Sequence, residues 1–305
     1  MPVDLTVEIA GLRLANPVLA SSGTFGYGLE FAHLVNLNQL GGLVVKGLSL
    51  EPMEGAPSPR VCETPSGMLN AIGLQNIGVR AFVAEKLPKL REYRTAVVAN
   101  VFGTCVEEYC EVLKILEDAD GLAAYELNIS CPNVKMGGLQ FGGDPVLASE
   151  VVAAARKVVS KRPLWVKLSP LVSDIGGMAR VAAEAGADAL TIANTYPAMA
   201  INAASRTSRI ASPTGGLSGP AIKPITLRLV YEAAKTVKIP ILGLGGIEKP
   251  DDVLEYFLAG AYAVQVGTAH FVDPRASERL VSGLEKRCSE LNISKISDIR
   301  RGFRT

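Results

Sequence analysis

The chain has 305 residues, of which 48% are hydrophobic, and its 31 basic residues balance 30 acidic ones. Such a balance argues against a nucleic-acid-binding protein, which would carry clustered positive charge. The first residues show no basic segment and apolar run of a signal peptide, and no stretch reaches the roughly 18 uninterrupted apolar residues of a membrane helix. We therefore expect a cytoplasmic protein with a large hydrophobic core.

The cysteine and histidine content argues against disulfide bonds and against a metal site. Five scattered cysteines form an odd number without any C-x2-C pair, which fits a reducing compartment better than a disulfide framework. The two histidines, His33 and His270, stand far apart, so the sequence predicts no metal site.

In chain order the pattern starts with a hairpin, because Thr6–Ile9 and Leu12–Leu14 flank a turn at Ala10 and Gly11. Eight short apolar runs, typical of parallel strands buried on both faces, follow at Pro17–Ala20, Leu43–Lys46, Ala96–Asn100, Tyr125–Asn128, Leu164–Leu168, Ala189–Ala193, Ile241–Gly243 and Ala263–Gly267. Helical patterns fill most gaps, at Val79–Tyr93, Val106–Glu117, Pro145–Ser160, Gly176–Ala185, Ile222–Thr236, Pro250–Ala259 and Ala276–Leu291.

The order of these elements predicts the fold class. Residues 258–267 closely parallel residues 184–193, and both read as a helix end, a glycine turn and a strand. Eight such units in an undivided chain predict an α/β protein with a closed (β/α)8 TIM barrel, as one domain over residues 1–305. The alternative is a doubly wound open sheet, which usually has fewer strands and a glycine-rich first turn.

Polar residues stand where the predicted strands end, which is the catalytic face of such barrels. Lys46, Asn100, Asn128 and Lys167 are at or near strand ends, and a converging polar set indicates a polar ligand. A lysine at the end of an apolar strand needs an anionic partner, unless its side chain extends out of the barrel mouth into water. A fixed cation there would suit a flavin, because hydride transfer leaves negative charge on the ring.

Glycines follow the last two predicted strands. Gly245 and Gly246 come after the seventh strand and Gly267 after the eighth, where barrels usually bind phosphate. A lone glycine pair is more often only a turn, but two such turns on these two strands favour a phosphate site. The spacing does not match the G-x-G-x-x-G dinucleotide motif.

One cysteine lies on the predicted catalytic face. Cys131 follows the fourth strand and begins a long, glycine-rich loop from Ser130 to Asp144, which we interpret as a mobile lid. Most lone cysteines are small buried hydrophobes. Among polar neighbours on this face, Cys131 is a candidate nucleophile or general base, and sequence chemistry leaves both roles open.

Several segments together resemble the dihydroorotate dehydrogenases over essentially the whole chain. They are Asn128-Ile-Ser-Cys-Pro-Asn-Val-Lys-Met-Gly-Gly138, Ala20-Ser-Ser-Gly-Thr-Phe-Gly-Tyr-Gly28, Asn70-Ala-Ile-Gly-Leu-Gln-Asn76, Asn194-Thr195, Leu217-Ser-Gly-Pro220 and Leu244-Gly-Gly-Ile247. The resemblance implies oxidation of dihydroorotate to orotate on FMN, with Cys131 as the general base that removes the C5 proton.

The same resemblance implies two sets of binding residues. FMN would contact Ser22, Lys46, Gly47, Asn100, Asn128, Lys167, Ile192, Gly219, Gly245, Gly246, Gly267 and Thr268. The substrate would contact Lys46, Asn70, Ala71, Ile72, Gly73, Leu74, Asn128, Asn133, Asn194 and Thr195.

Within that family, the segment from Val134 to Gly142 is more similar to the NAD-linked type, class 1B, than to the fumarate-linked class 1A. The quinone-using class carries a serine base in place of cysteine. NAD linkage implies a partner subunit with FAD and a 2Fe–2S cluster, around a homodimeric core of a heterotetramer. The chain itself has neither clustered cysteines nor a dinucleotide fold for those groups.

Other functions stay open on the residues alone. One is a flavin barrel similar to dihydropyrimidine dehydrogenase, whose uracil substrate would not need a carboxylate partner at Lys46. Another is a flavin-free phosphate-binding barrel such as a synthase or aldolase. A third is a non-catalytic scaffold subunit, against which the presence of Cys131, Lys46 and Lys167 argues.

Overall fold

A computed structural model describes residues 3–130 and 141–304 of the chain. It opens with an antiparallel hairpin of β1 (Val7–Ile9) and β2 (Leu12–Leu14), as the sequence predicts. Ala10 and Gly11 make the turn with φ of 51° and 82°, and Glu8 faces solvent between two buried neighbours.

The remaining strands of the described residues fall into a barrel and two smaller sheets. They are β3 (Val18–Ala20), β4 (Gly42–Val44), β5 (Val61–Thr64), β6 (Gly67–Asn70), β7 (Ala96–Val101), β8 (Ala124–Asn128), β9 (Leu164–Lys167), β10 (Ala189–Ile192), β11 (Tyr196–Ala198), β12 (Ile201–Asn202), β13 (Thr207–Ser208), β14 (Gly215–Ser218), β15 (Ile241–Leu244) and β16 (Ala263–Val266).

Eight of these strands close a parallel barrel around the axis of the molecule. The order is β3, β4, β7, β8, β9, β10, β15 and β16, which pairs again with β3, so chain neighbours are also spatial neighbours. The predicted (β/α)8 barrel is confirmed. Every residue of β8 and β9 is buried, including the charged Glu126 and Lys167, so charge inside these strands must be matched by partners within the barrel.

The helices pack around the barrel, which places their apolar sides against the strands. In the described residues they are α1 (Val79–Ala81), α2 (Leu87–Leu90), α3 (Val106–Glu117), α4 (Pro145–Val158), α5 (Ile175–Glu184), α6 (Lys223–Thr236), α7 (Pro250–Ala259), α8 (Ala269–Val272) and α9 (Ala276–Glu290). None of these helices has the length and apolar character to cross a membrane.

The predicted continuous helix over Val79–Tyr93 is the clearest difference from the sequence analysis. A π-helical segment, Phe82–Lys86, separates α1 from α2, and the helix ends at Leu90. Pro88 supplies the physical reason, because its ring has no N–H to donate and crowds the carbonyl of the preceding turn.

A four-stranded antiparallel sheet was absent from the sequence prediction. Its order is β11-β14-β6-β5, and it joins the segment before β7 to the segment after β10. Asn70 of β6 pairs with Gly216 of β14, 146 residues away. Strands this short carry no readable alternation, so only the long-range pairing defines them.

Candidate active site

A cavity of about 610 Å³ lies at the carboxyl ends of the barrel strands. Barrel residues such as Asn100, Asn128 and Lys167 form one wall, and Asn70 and Gly216 of the antiparallel sheet form the facing one. The sheet therefore covers the barrel mouth, and the cavity is the space enclosed between them.

Two lysines bring positive charge into this cavity. Lys167 ends β9, is only 5% exposed, and donates from Nζ to Ser22 Oγ at 3.3 Å. Lys46 lies two residues beyond the end of β4, and the pKa of its ammonium is lowered, first by burial and then by the positive charge of Arg60. Cations held in a half-enclosed space favour an anionic ligand.

Asparagines form a polar network beside the lysines. Asn194 donates from Nδ2 to Ser130 Oγ at 2.7 Å, and that hydroxyl donates to Asn128 Oδ1 at 2.9 Å. Across the cavity, Asn70 donates to the Gly216 carbonyl at 3.0 Å. These bonds hold the amides in defined orientations, and amides can offer a ligand both donors and acceptors.

A carboxylate supports the cavity from below. Glu126 is fully buried in β8 and accepts from Asn100 Nδ2 at 2.7 Å, Thr191 Oγ1 at 2.6 Å and Gln265 Nε2 at 2.5 Å. Asn100 Oδ1 is also buried and has no hydrogen-bond partner among the described residues, although Asn100 lines the cavity. The bond to Glu126 therefore holds the Asn100 amide in one orientation at the edge of the cavity.

Glycine turns form the end of the cavity next to β15 and β16. Gly219, Gly245 and Gly246 have φ of 99°, 151° and 67°, which side-chain-bearing residues rarely adopt. A Cβ on Gly246 would stand 2.9 Å from the Gly219 carbonyl oxygen. Thr268 donates to Ser218 Oγ at 2.7 Å across the same end. Side chains at these glycines would meet neighbouring protein atoms, so the tight turns at this end of the cavity require glycine.

The family model described as Dihydroorotate dehydrogenase matches residues 4–288 of the chain. The chain belongs to the dihydroorotate dehydrogenase family. Two relatives agree with this assignment over nearly their full length. A putative dihydroorotate dehydrogenase A (fumarate) from Solibacter usitatus is 59% identical over 299 residues, which is 98% of each chain. A dihydroorotate dehydrogenase B (NAD(+)), catalytic subunit, from Pelobacter propionicus is 52% identical over 299 residues, again 98% of each chain.

A solved structure shows the same fold. The dihydroorotate dehydrogenase of Eimeria tenella, crystallised with ferulenol, superposes with a TM-score of 0.83 at 22% identity, covering 97% of this chain and 88% of the other. The names printed for the relatives differ in electron acceptor, fumarate for one and NAD(+) for the other, so family membership alone does not assign the acceptor.

The structure brings most of the predicted site residues of this dihydroorotate dehydrogenase family member to one cavity. The predicted FMN contacts that line it are Ser22, Lys46, Gly47, Asn100, Asn128, Lys167, Gly219, Gly245, Gly246, Gly267 and Thr268. The predicted substrate contacts that line it are Lys46, Asn70, Ala71, Ile72, Gly73, Leu74, Asn128, Asn194 and Thr195.

Three predicted residues stand apart from that set. Ile192 is fully buried and does not line the cavity. It pairs with Gly243 on the neighbouring strand, and a Cβ added to Gly243 would meet Tyr256 of α7. This pair of positions therefore faces the surrounding helices. Cys131 and Asn133 lie outside the described residues.

Two residues in or beside the cavity were missed by the sequence analysis. Arg60 lines the cavity, donates to Gln75 Oε1 at 2.6 Å, and sits in a segment that carried no strand or helix signal. Glu126 had a readable signal, because a carboxylate inside an otherwise apolar strand requires partners.

Proposed function

We propose that this chain binds FMN in the cavity and oxidises dihydroorotate to orotate, with Cys131 as general base. The observation that carries the proposal is that Lys46 and Lys167 share one cavity with Asn70, Asn128 and Asn194. An amide both donates and accepts, which suits a ring edge of alternating C=O and N–H groups. Dihydroorotate has such an edge and a carboxylate, and a lysine supplies the matching charge.

The residues present fit FMN on physical grounds. A cavity of about 610 Å³ is within the ~300–1,000 Å³ typical of sites that enclose cofactors and drug-sized ligands. Gly245 and Gly246 line the cavity, and backbone N–H groups of such glycine turns suit a phosphate. Asn100 and Lys167 line the same cavity and supply an amide and a cation to the polar edge of the ring. Bound FMN supplies the acceptor for the hydride that leaves C6 of the substrate.

The chain's own residues then have separate tasks. Lys46 pairs with the substrate carboxylate, and the asparagines orient the ring so that C6 faces the flavin. The covering antiparallel sheet excludes water, which strengthens each charge interaction in the cavity. Cys131 removes the proton at C5; this role follows from the resemblance of its motif to the family.

We propose further that electrons leave through a partner subunit carrying FAD and a 2Fe–2S cluster, and reach NAD. The support is the similarity to relatives named as the catalytic subunit of the NAD(+)-linked enzyme, at 52% and 53% identity from Pelobacter propionicus and Geobacter metallireducens. Fumarate is the second candidate acceptor, because the Solibacter usitatus relative at 59% identity is named for it.

An absorption spectrum of the purified chain, before and after anaerobic dihydroorotate, tests the proposal directly. We expect a flavin spectrum that bleaches with dihydroorotate and stays unchanged with dihydrouracil, which lacks the carboxylate. Bleaching by dihydrouracil would favour a uracil-type enzyme. A colourless protein that takes up no added FMN would contradict the flavin site altogether.

A further inference from the structure

Helix α7 holds the turn that follows β15, residues 245–249, at two places. Tyr256 is fully buried and donates from its hydroxyl to the Gly245 carbonyl oxygen at 2.7 Å. One helical turn earlier, Asp252 Oδ2 accepts from the backbone N–H groups of Glu248 and Lys249, both at 2.8 Å. Positions 252 and 256 are four residues apart, so the two side chains share one face of the helix and contact the two ends of the turn.

A further contact connects Asp252 to a second helix. Lys223 begins α6 and donates from Nζ to Asp252 Oδ1 at 2.6 Å, and it also forms an ion pair with Glu255 Oε2 at 2.9 Å. Asp252 is only 7% exposed, and these donors supply the partners that a buried carboxylate requires. A Cβ on Gly246 would stand 2.7 Å from Lys223 Cβ, so the turn also packs directly against the start of α6.

Gly246 and Ile247 lie between the two places where α7 holds the turn. Both line the cavity, and neither backbone N–H donates a hydrogen bond to another residue of the described chain. Tyr256 occupies the carbonyl group before this pair, and Asp252 occupies the two N–H groups after it. The contacts with α7 therefore fix the turn while leaving these successive N–H groups available, and such groups can bind an anion.

We propose that Asp252 and Tyr256 are positioning residues that hold the 245–249 turn in the shape that binds the phosphate of FMN. This inference rests on the proposed FMN site. Neither side chain lines the cavity, so both act through the backbone of the turn. Asp252 is also the third residue of α7, where its bond to the Lys249 N–H caps the helix. A capping role alone would change stability without changing which flavin the protein prefers.

The test compares FMN with riboflavin, which has the same ring system but no phosphate. Fluorescence titration of the apoprotein gives the dissociation constants of both ligands for wild type, Asp252→Ala and Tyr256→Phe. We expect wild type to prefer FMN, and each variant to lose about 10-fold of that preference, the size of one or two hydrogen bonds. The riboflavin constant should stay close to the wild-type value, because the ring contacts lie elsewhere in the cavity.

Two further variants separate the turn contact from charge. Asp252→Asn keeps an oxygen that can accept from the turn N–H groups, so it should retain more of the preference than Asp252→Ala. Glu255→Gln is the matched control, because Glu255 lies on the same helix and pairs with Lys223 but has no hydrogen bond to the turn. It should keep the wild-type ratio. An equal loss in Glu255→Gln would assign the effect to charge around Lys223 and overturn the inference.

The remaining outcomes distinguish this inference from the proposed function. A wild-type ratio in either Asp252→Ala or Tyr256→Phe would overturn the inference, because the turn needs both contacts. Tyr256→Phe removes a single oxygen atom, so it decides the question even where Asp252→Ala does not fold. Equal binding of FMN and riboflavin by wild type would overturn the inference and leave a flavin site intact. Failure of the wild-type apoprotein to bind either flavin would overturn the proposed function as well.

Discussion

Lys167 Nζ donates to Ser22 Oγ at 3.3 Å, although the two residues are 145 positions apart. Lys167 ends β9 and Ser22 follows β3, and these strands stand opposite each other in the barrel order. The lysine therefore reaches across the barrel mouth. Because the ammonium of Lys167 is held on one side of the barrel mouth by its strand and on the other by Ser22, it can stabilise an anionic ligand without the side chain having to move.

Replacing Lys167 by Met should lower the FMN midpoint potential or reduce FMN retention, because the cation favours the negative charge that hydride transfer places on the ring. The matched control is Lys286→Met, on the exposed side of α9. Spectroelectrochemistry and flavin content per chain measure both effects. Unchanged potential and occupancy in Lys167→Met would show that this charge has no part in flavin binding.

Lys46→Met should stabilise the apoprotein while impairing catalysis. Burial and the charge of Arg60 lower the pKa of Lys46 below its ordinary value of 10.5, so the folded state holds this proton less tightly than the unfolded chain. The charged lysine thus costs stability at neutral pH, and the cost falls as pH rises from the lowered pKa to 10.5. Melting temperatures of apo wild type and Lys46→Met between pH 7 and 10 should therefore converge at high pH.

The same lowered pKa should appear in substrate binding. The KM for dihydroorotate should rise with pH through the lowered pKa of Lys46, as its positive charge is lost. In Lys46→Met the KM should be higher by about 10–100-fold at neutral pH, the size of a hydrogen bond to a charged group. Lys157→Met, on the exposed side of α4, is the control for both measurements. A KM that Lys46→Met leaves unchanged would place the carboxylate elsewhere.

Gly246→Ala should weaken FMN binding. The added Cβ would stand 2.9 Å from the Gly219 carbonyl oxygen at a φ of 67°, so the turn must shift where we place the phosphate. Gly11→Ala carries a similar backbone cost, at a φ of 82°, but its Cβ meets nothing within 4 Å. Both variants should lose about 1 kcal/mol of unfolding free energy from backbone strain, with a further loss in Gly246→Ala from the close contact, and only Gly246→Ala should raise the FMN dissociation constant. Equal FMN affinity in the two would move the phosphate away from this turn.

Cys131→Ala should retain FMN and slow flavin reduction by about 10²–10⁴-fold, the usual contribution of a general base. Cys131→Ser should recover little at neutral pH, since a hydroxyl is a much weaker base. Cys110→Ala, on α3, is the control. Stopped-flow bleaching by anaerobic dihydroorotate measures all three, and a normal rate in Cys131→Ala would remove the cysteine from the mechanism.

The electron acceptor is tested by turnover of the chain alone. We expect the isolated chain to be bleached by dihydroorotate but to form negligible NADH until the iron–sulfur flavoprotein subunit is added. Steady turnover by the lone chain with fumarate, at the rate of flavin reduction and without gain from a partner, would instead assign it to the fumarate-linked class.

The barrel itself was predictable because neighbouring residues in the sequence specify each strand–helix unit. A glycine ends the helix and a buried apolar run follows, as in Leu258–Gly267, and eight such units leave few alternatives to closure. The candidate site was predictable where a polar residue ends a strand, as Asn128 and Lys167 do. Pro88 could have predicted the interruption of the helix near Phe82–Lys86. The helical periodicity on both sides of it favoured a continuous helix instead.

The sequence by itself determined the barrel, the family, and the residues that reach the strand ends, because periodicity, turn chemistry and motif order are local properties. Only the tertiary structure showed that the sheet of β5, β6, β11 and β14 covers the barrel mouth, and that Glu126 orients Asn100. Both depend on pairings between residues far apart in the chain, such as Asn70 with Gly216. Short strands and single side chains leave no periodic pattern in the sequence. Their hydrogen-bonding partners are therefore defined only once the barrel has closed.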